Sequence, residues 1–460
     1  MAPTSPQPAL SAGPGTGRAL VVGAGIGGLL AAAALTRSFR EVLVLEQDAA
    51  AGERGTGSRP GLPQEQHLHV LLRGGSQAIS EVLPDLEAAL AKAGAPPVDT
   101  GDGMFLCTGK RTAERWLMNL HTYAISRFGL ETCVRGQALA LPGVRVLNGI
   151  RVTGPHTLDG RTVTGVTIED PSETHGTVRS DGRRVLDADL VVDASGRSSR
   201  ADRWLPGLGA PAPRTEVIDG GLGYVTVWLD EPGPLTPERP ILYDVGSIPV
   251  NGRGVVAMRT EDGRTVLAAF GRGEDRPPMD HDGYLGFLRS LGNPLIDQLA
   301  TGLHPGQQLH RYARLPNRRH RYALRSWPPG LLVLGDALCM FNPVYGQGMT
   351  VAARQARVLG RHAARLARDP ASTRRTQRRI VRQSVDAWLV STAQDASWTS
   401  RPPWYTVPVA WLLNRTLVRS VSDRRVHRAL LETVHMVSST ALLRPRVLAA
   451  LLRPARRPPA

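Results

Sequence analysis

The sequence is poor in lysine, cysteine and aromatic residues. Lys92 and Lys110 are its only lysines, although lysine and arginine together number 56, and aromatic residues make up 5% of the 460 residues. Cys107, Cys133 and Cys339 are scattered without the spacing of a metal site. This usage excludes a disulfide framework and favours a reducing, cytoplasmic compartment. No uninterrupted apolar run is long enough for a transmembrane helix.

The positive charge is carried almost entirely by arginine, and the formal net charge is +16. An anionic partner, either nucleic acid or lipid headgroups, is one interpretation. The arginines are dispersed and lack the interleaved aromatics of nucleic-acid platforms, so we predict no nucleic-acid partner. The apolar stripes and arginines of the C-terminal part either pack on the rest of the protein or make, at most, a peripheral membrane contact.

A glycine-rich turn near the N-terminus predicts a dinucleotide site. Residues 19–22 form an apolar run suited to a buried parallel strand, and an Ala/Leu-rich helix is expected over roughly 26–37. Between them, Gly23 allows a tight turn, Gly25 lets the backbone approach a pyrophosphate, and Gly28 lets helix and strand pack closely. The free N–H groups of the helix N-terminus favour phosphate. The alternative is a glycine-rich turn without a ligand.

An acid follows at the spacing that such a site requires. The second predicted strand, 41–46, ends in Glu46, and an acid roughly 20 residues after the first glycine binds ribose hydroxyls. A carboxylate there repels a 2′-phosphate, which argues against an NADP site.

A second cradle is predicted much later in the chain. An apolar strand ends in Gly335 and Asp336, and a loop with Gly346 and Gly348 leads into a helix expected to start near Met349. The aspartate could accept hydrogen bonds from polyol hydroxyls, and the helix N-terminus could face a ring edge that carries negative charge. A strand–turn–helix connection with a structural aspartate is the alternative.

A third strand–turn segment, DADLVVDASGRSSR, places Asp193, Gly196 and Arg197 at its turn. It either brings backbone close to the cofactor or is a plain strand exit.

Together, GAGIGG…LE, DLVVDASGRSS and VLGDALCMFNPVYGQGM resemble the flavoprotein monooxygenases with the para-hydroxybenzoate hydroxylase fold. RPGLPQEQHLHVLL, NPVYGQGM and VDAWLVSTAQD are more similar still to bacterial flavin epoxidases that act on polyene polyketides in polyether biosynthesis, and more distantly to squalene epoxidase. The resemblance extends from about Ala19 to Leu452.

The resemblance implies a tightly bound, non-covalent FAD. It places Glu46 on the adenosine ribose, Arg127 near the pyrophosphate or ribityl chain, Asp336 on the ribityl chain, and Gly346 and Gly348 along the isoalloxazine. The full predicted cofactor-binding set is Gly23, Gly25, Gly28, Glu46, Arg59, Arg127, Asp193, Gly335, Asp336, Gly346, Gly348 and Met349.

Two features of the resemblance leave alternatives open. Arg59 and Gln64 lie in the family's flavin-facing segment, but they also suit the surface of a helix start. Asp193 is followed by Ala-Ser-Gly where many relatives have Asp-Gly. How a nicotinamide binds therefore stays open, and NADH or NADPH could reduce the flavin directly or through a separate reductase.

The predicted fold is α/β: a discontinuous Rossmann-like FAD-binding domain, an inserted β-sheet substrate domain and C-terminal helices. Helices are expected from about Gln64 and Gly75, and a hairpin is expected to turn at 261–263. The expected boundaries are a disordered leader (1–18), the FAD-binding parts (19–95, 126–214 and 326–400), the substrate-domain parts (96–125 and 215–325) and the helical region (401–460).

The chemistry implied by the resemblance is oxygen transfer from a C4a-hydroperoxide of reduced FAD to an alkene, using O₂ and electrons from NAD(P)H. Because epoxidation ionises no phenol, no general base is required, and no catalytic residue is assigned. The expected substrate is a hydrophobic polyene, with a flavin reductase or polyketide synthase carrier as candidate partners.

Rival functions are aromatic hydroxylation, alkene reduction of the geranylgeranyl reductase type and a non-catalytic role as an FAD-containing binding protein. A halogenase is disfavoured by the missing Trp-x-Trp-x-Ile run.

Substrate contacts are expected from the inserted sheet and from helices after Ser384. Trp388, Trp398 and Trp404 either line an apolar chain or pack in the core. His67 and His69 do not share a helix face, so we predict structural or flavin-adjacent roles and no metal.

Overall fold

The computed structural model describes residues 15, 17–49, 66–108, 111–246, 252–313 and 316–452. The predicted positions Arg59 and Gln64 lie outside these described residues. The strands are β1 Arg18–Val22, β2 Glu41–Glu46, β3 Pro97–Asp99, β4 Met104–Thr108, β5 Arg111–Thr112, β6 His121–Tyr123, β7 Val144–Asn148, β8 Arg151–Thr157, β9 Val163–Glu169, β10 Thr177–Val178, β11 Arg184–Asp187, β12 Leu190–Asp193, β13 Arg214–Ile218, β14 Leu222–Leu229, β15 Ile241–Asp244, β16 Gly254–Arg259, β17 Thr265–Arg272, β18 His310–Tyr312, β19 Asn317–Arg321, β20 Leu331–Val333 and β21 Cys339–Met340.

The helices connect and cover these strands. They are α1 Ile26–Leu35, α2 Arg73–Ser80, α3 Leu86–Lys92, α4 Arg127–Ala140, α5 Ala201–Gly207, α6 His281–Arg289, α7 Pro294–Ala300, α8 Gln347–Leu366, α9 Thr373–Arg382, α10 Val385–Ala396, α11 Thr406–Ser420, α12 Arg424–Val434 and α13 Pro445–Leu452. None of the helices in the described ranges has the length and apolar character needed to cross a bilayer.

A five-stranded parallel sheet in the order β20-β12-β1-β2-β7 forms the centre of the Rossmann-like part. Its inner strands are fully buried apolar runs, as expected of a parallel sheet covered on both faces. Helix α1 packs against α8, and almost all of its Ala/Leu-rich surface is buried. The βαβ unit predicted from the glycine pattern is therefore present, and the predicted α/β fold class is confirmed.

A seven-stranded sheet, β18-β14-β17-β16-β15-β4-β5, forms the second layer. It combines β4 and β5 with strands that come more than a hundred residues later, and β15 pairs with β4 in parallel. The predicted hairpin is present, since β16 and β17 pair antiparallel around Asp262 and Gly263. Helices α6 and α7 cover one face of this sheet and share its apolar core.

Smaller sheets complete the molecule: β10-β11-β9-β8, β13-β19-β21 and β3-β6. The C-terminal helices α10 to α13 pack on one another around Ala393, Leu413, Ala429 and Leu451. Pro408 does not break α11, because it lies in the first turn, where backbone N–H groups have no helical partner.

The helix predicted from about Gln64 is wrong over the described residues, since 68–72 form an irregular segment that leads into α2. The two residues before it, Gln66 and His67, bond to the seven-stranded sheet and not within a helix. The Gln66 carbonyl accepts a hydrogen bond from the Trp228 indole N–H at 3.2 Å, and His67 Nδ1 lies 2.9 Å from Thr226 Oγ1. These tertiary bonds outweigh the local helix propensity.

Candidate cofactor and substrate cavities

One cavity, the candidate cofactor cavity, lies at the carboxyl ends of the parallel strands and has a volume of about 420 Å³. Ligands of open parallel sheets bind at this edge, and the volume lies within the roughly 300–1,000 Å³ of small-molecule sites. The predicted residues that line it are Gly23, Gly25, Glu46, Arg127, Gly335, Asp336, Gly346, Gly348 and Met349. The fold therefore brings together three segments that are far apart in the sequence.

The first glycine turn leaves space where a ligand backbone could approach. Gly23 has φ +97° and its N–H donates to the Leu45 carbonyl, so the turn closes tightly onto β2. A Cβ added at Gly25 would meet no atom within 4 Å, because this position opens into the cavity. A Cβ at Gly28 would lie 1.9 Å from the Gly23 carbonyl oxygen. Gly28 thus permits packing, and Gly25 permits ligand approach.

The α1 N-terminus provides the polar part of this cradle. Gly25 is its N-cap and supplies no side chain, so the first N–H groups are free of a side-chain cap. Glu46 stands beside them: its Oε2 accepts from the Ala24 N–H at 2.9 Å and its Oε1 accepts from the Asp48 N–H at 3.0 Å. The carboxylate is fixed by backbone and lines the cavity, where it can accept from vicinal hydroxyls.

The second cradle is built from two short turns. Gly335 (φ +63°) begins the 3-10 turn Gly335–Ala337, and its N–H donates to Gln355 of α8 at 2.6 Å. Asp336 faces the cavity, and burial raises the pKa of its carboxyl while Arg197 and Arg127 oppose that shift. Gly346 (φ +66°) is the N-cap of α8, which starts two residues before the predicted Met349.

Arg127 joins the two halves of the cavity. It is the first residue of α4, and its Nη1 lies 2.8 Å from the Met349 sulfur of α8. Its Nη2 lies 3.7 Å from Glu131 one turn along the same helix. The guanidinium is therefore positioned by both helices beside the cavity, where it can neutralise an anionic ligand.

Asp193 has a different role from the predicted cofactor contact. Its side chain is fully buried and does not line the cavity. It accepts from the Ser195 N–H at 3.0 Å, from Ser195 Oγ at 2.5 Å and from Ser199 Oγ at 2.6 Å. The aspartate shapes the turn from inside, and Gly196 and Arg197 of the same turn reach the cavity.

The two neighbouring histidines are neutral. His69 lines the cofactor cavity and holds its Nδ1 2.8 Å from the His67 carbonyl; burial lowers its pKa to about 3. His67 packs edge-on against Tyr224, and burial lowers its pKa to about 4. Across the described residues there is no His/Cys/Asp/Glu group suited to a metal ion.

A second, smaller cavity of about 200 Å³ adjoins the first. Pro343 and Gly346 line both cavities, so the loop before α8 separates them. Its walls come from the seven-stranded sheet (Leu106, Tyr224, Tyr243, Val256 and Phe270), the 68–72 segment, and helices α10, α11 and α12 (Val390, Leu413, Leu417, Leu430 and Val434).

The tryptophans proposed as substrate contacts line neither cavity. Trp388 is 1% exposed and belongs to the core, Trp404 is 85% exposed, and Trp398 stacks on Arg272 at 5.3 Å. The core-packing alternative therefore holds for Trp388, and none of the three tryptophans lines either of these two cavities.

Sequence reasoning missed a buried polar cluster behind the shared loop. Asp395 at the end of α10 has no exposed surface. Its Oδ1 accepts from Arg272 Nη2 at 2.9 Å and from the Tyr345 hydroxyl at 2.7 Å, and its Oδ2 accepts from the side-chain amides of Asn317 and Asn342. The only sequence signal was an acid in a helix that buries most of its surface.

Comparison with known proteins agrees with this geometry. A family model described as "NAD(P)-binding Rossmann-like domain" matches residues 21–86, and one described as "Squalene epoxidase" matches residues 260–378. A Mycobacterium tuberculosis (strain ATCC 25618 / H37Rv) relative, "Protein Rv3254", is 28% identical over 454 residues, which cover 92% of each chain.

Solved structures show the same fold. The flavin-dependent brominase Bmp2 superposes with a TM-score of 0.64 at 13% identity, over 94% of this chain and 98% of that one. A probable FAD-dependent monooxygenase, pqsL from Pseudomonas aeruginosa, superposes with a TM-score of 0.61 at 18% identity. The match covers 90% of this chain and 99% of that one. The chain therefore has the fold of the flavin-dependent monooxygenases.

Proposed function

We propose that the protein is an FAD-dependent monooxygenase that epoxidises an alkene of an apolar substrate, a polyene polyketide or terpenoid. The overall reaction converts alkene, O₂, NAD(P)H and a proton into epoxide, NAD(P)⁺ and water. The observation that carries this proposal is the apolar cavity that shares Pro343 and Gly346 with the cofactor cavity. The squalene epoxidase match, which includes that loop, supports the same conclusion.

The cofactor cavity has the donors and acceptors that FAD requires. We assign the α1 N-terminus and Arg127 to the pyrophosphate, Glu46 to the adenosine ribose and Asp336 to the ribityl chain. The N-terminus of α8 would face the isoalloxazine edge, where its partial positive charge favours the reduced, anionic ring. When bound, FAD supplies the activation of O₂, and the protein supplies binding and orientation.

The second cavity binds the alkene and keeps water away from it. Its walls are apolar or neutral, and helices α11 and α12 form part of them. Exclusion of water protects a reactive oxygen donor from unproductive loss as peroxide. This apolar environment favours epoxidation over phenol hydroxylation, because a phenolate would be desolvated there without a charge partner.

A single-turnover experiment tests the proposal. The FAD-loaded full chain is reduced anaerobically with dithionite, desalted, and mixed with ¹⁸O₂ and either squalene, geraniol or 4-hydroxybenzoate. We expect one ¹⁸O atom in an epoxide of an alkene substrate. Hydroxylation of the phenol alone would contradict epoxidation, and a saturated product formed under nitrogen would indicate the alkene reductase.

The electron donor is tested separately. Oxidation of NADH or NADPH by the protein alone would show direct reduction. Reduction that occurs only when a flavin reductase is added would assign that step to a partner.

A further inference from the structure

The smaller cavity contains polar groups that the protein leaves without partners. Part of its polar lining is already engaged: the Thr122 hydroxyl donates to the Leu71 carbonyl at 2.7 Å, and the Tyr345 hydroxyl donates to Asp395. Two further side chains, Gln347 and His435, differ from these because each keeps a hydrogen-bonding atom available.

Gln347 is the first residue of α8 and is only 2% exposed. Its Oε1 atom is buried and accepts no hydrogen bond from any described group. A buried amide oxygen without a donor is costly unless a ligand satisfies it. Gln347 directly follows Gly346, which lines both cavities. This amide therefore lies where the smaller cavity meets the cofactor cavity.

His435 ends α12 and is 4% exposed. Its Nδ1 accepts the backbone N–H of Arg73 at 3.2 Å, and burial lowers its pKa to about 4. The ring is therefore neutral and carries its proton on Nε2. No described residue accepts a hydrogen bond from that Nε2 atom.

The start of α2 connects the two residues. His435 binds the Arg73 N–H there, and the neighbouring Leu72 would lie 3.7 Å from a Cβ built on Gly346, the residue before Gln347. Leu72 itself lines the cavity between them. The mostly apolar cavity thus offers an N–H donor from His435 and the free amide oxygen of Gln347 as an acceptor.

We propose that this cavity contains a binding site for a neutral oxygen group, a hydroxyl or carbonyl, carried by the apolar substrate and held by His435 and Gln347. This inference rests on the proposed function, since it defines the substrate class of the same cavity. A hydroxyl can accept from the His435 Nε2–H and donate to the Gln347 Oε1, which satisfies both protein groups.

The lining also discriminates between related substrates. A pure hydrocarbon leaves both polar groups unpaired, and a site built to bind a hydroxyl rejects the analogue that lacks one. A carboxylate meets the opposite problem: the residues that line the cavity are apolar or neutral, so it would lose its hydration without gaining a cation.

Equilibrium binding to the oxidised, FAD-loaded full chain tests this inference without turnover. Geraniol, geranyl methyl ether, 2,6-dimethylocta-2,6-diene and geranic acid are titrated at pH 8, and Kd is obtained by calorimetry and from the visible flavin spectrum. We expect geraniol to bind at least about tenfold more tightly than the hydrocarbon, the ether to lie between them, and the acid to bind worst. Equal affinities for alcohol and hydrocarbon, tightest binding of the acid, or no binding of any ligand would overturn the inference.

Variants locate the preference. Gln347→Leu should weaken the binding of geraniol about tenfold and strengthen the binding of the hydrocarbon. His435→Phe should also reduce the ratio of the affinity for the alcohol to the affinity for the hydrocarbon. Thr122→Val is the control, because its hydroxyl is already engaged, and it should leave the alcohol-to-hydrocarbon ratio unchanged. A ratio that both test variants retain would refute the assignment. Oxygenation without this preference would refute only the present inference, whereas the preference without oxygenation would refute only the proposed function.

Discussion

Tyr345 donates its hydroxyl hydrogen to Oδ1 of Asp395 at 2.7 Å, and so ties the loop before α8 to a carboxylate with no exposed surface. Arg272 of β17 binds the same oxygen at 2.9 Å and also reaches the Gly220 carbonyl. A charged pair from the seven-stranded sheet and helix α10 therefore fixes the loop that lines both cavities. Burial of this kind requires both partners, because either charge alone would be uncompensated.

Asp395→Asn should destabilise the protein and weaken FAD binding together. The substitution leaves the Arg272 charge buried without its counter-charge, which costs roughly 3 kcal/mol in unfolding free energy. We expect FAD affinity to fall at least about tenfold, because the loop at Tyr345 loses its anchor. Urea unfolding of the apoprotein and fluorescence titration with FAD measure the two effects.

Asp386→Asn on the same helix is the matched control. Its partner, Arg354, lies 2.8 Å away, and the Asp386 side chain is 27% exposed, so the loss should be about 1 kcal/mol or less. FAD affinity should stay within a factor of two. If both variants lose FAD equally, the Asp395 cluster does not act specifically on the loop.

Substitutions at Gly25 and Gly28 should affect FAD binding and folding stability separately. A Cβ at Gly25 meets no protein atom within 4 Å, so Gly25→Ala should cost no more than about 1 kcal/mol of stability, through its N-cap position, but should weaken FAD strongly. A Cβ at Gly28 lies 1.9 Å from the Gly23 carbonyl oxygen, so Gly28→Ala should cost roughly 1–3 kcal/mol. Apoprotein unfolding and FAD titration are compared. Unchanged FAD affinity in Gly25→Ala would show that the pyrophosphate does not bind at this turn.

The buried histidines should make stability fall at mildly acidic pH. In the folded protein the pKa of His67 is lowered to about 4, that of His69 to about 3 and that of His435 to about 4, whereas an unfolded histidine titrates near roughly 6.5. Below that value the unfolded chain binds protons that the folded chain does not. Their stability contribution is therefore complete above pH 6.5 and is lost as the pH falls toward 4.

His67→Asn tests this linkage. Near pH 5, each such histidine contributes a slope of about 1.4 kcal/mol per pH unit, so the variant should show a shallower fall in unfolding free energy than the parent. Thr226→Val removes the hydrogen-bond partner of His67 but keeps the titrating ring, and its slope should match the parent. Urea unfolding between pH 7.5 and 5.0 gives the slopes. Identical slopes in His67→Asn and the parent would refute the neutral buried ring.

The local motifs were predictable because each lies within one short segment. The spacing of Gly23, Gly25 and Gly28 fixes a turn between a strand and a helix, and Glu46 comes at the end of the next strand. The same holds for Asp336, which lies three residues after the end of β20. Parallel strands place these ends at one edge of the sheet, so sequence order alone brought them together.

The tertiary contacts were not predictable in this way. Asp395 lies 123 residues from Arg272 and 53 from Asn342, and no periodicity links positions so far apart. The non-helical entry into α2 was not predicted, because Gln66 and His67 bond to Trp228 and Thr226, which belong to a strand far away in the sequence. Asp193 has a residue type and a position that suit a cofactor contact, but its carboxylate oxygens accept hydrogen bonds from Ser195 and Ser199.

The central claim is that two cradles, at Gly25 and at Gly346, enclose one FAD. The most direct measurement is the absorbance spectrum of the purified full chain, with mass analysis of whatever denaturation releases, before and after incubation with FAD. The account predicts flavin absorbance near one equivalent per chain, non-covalent release of FAD, and loss of that absorbance in Gly25→Ala. Folded protein that stays colourless after incubation with FAD would contradict it.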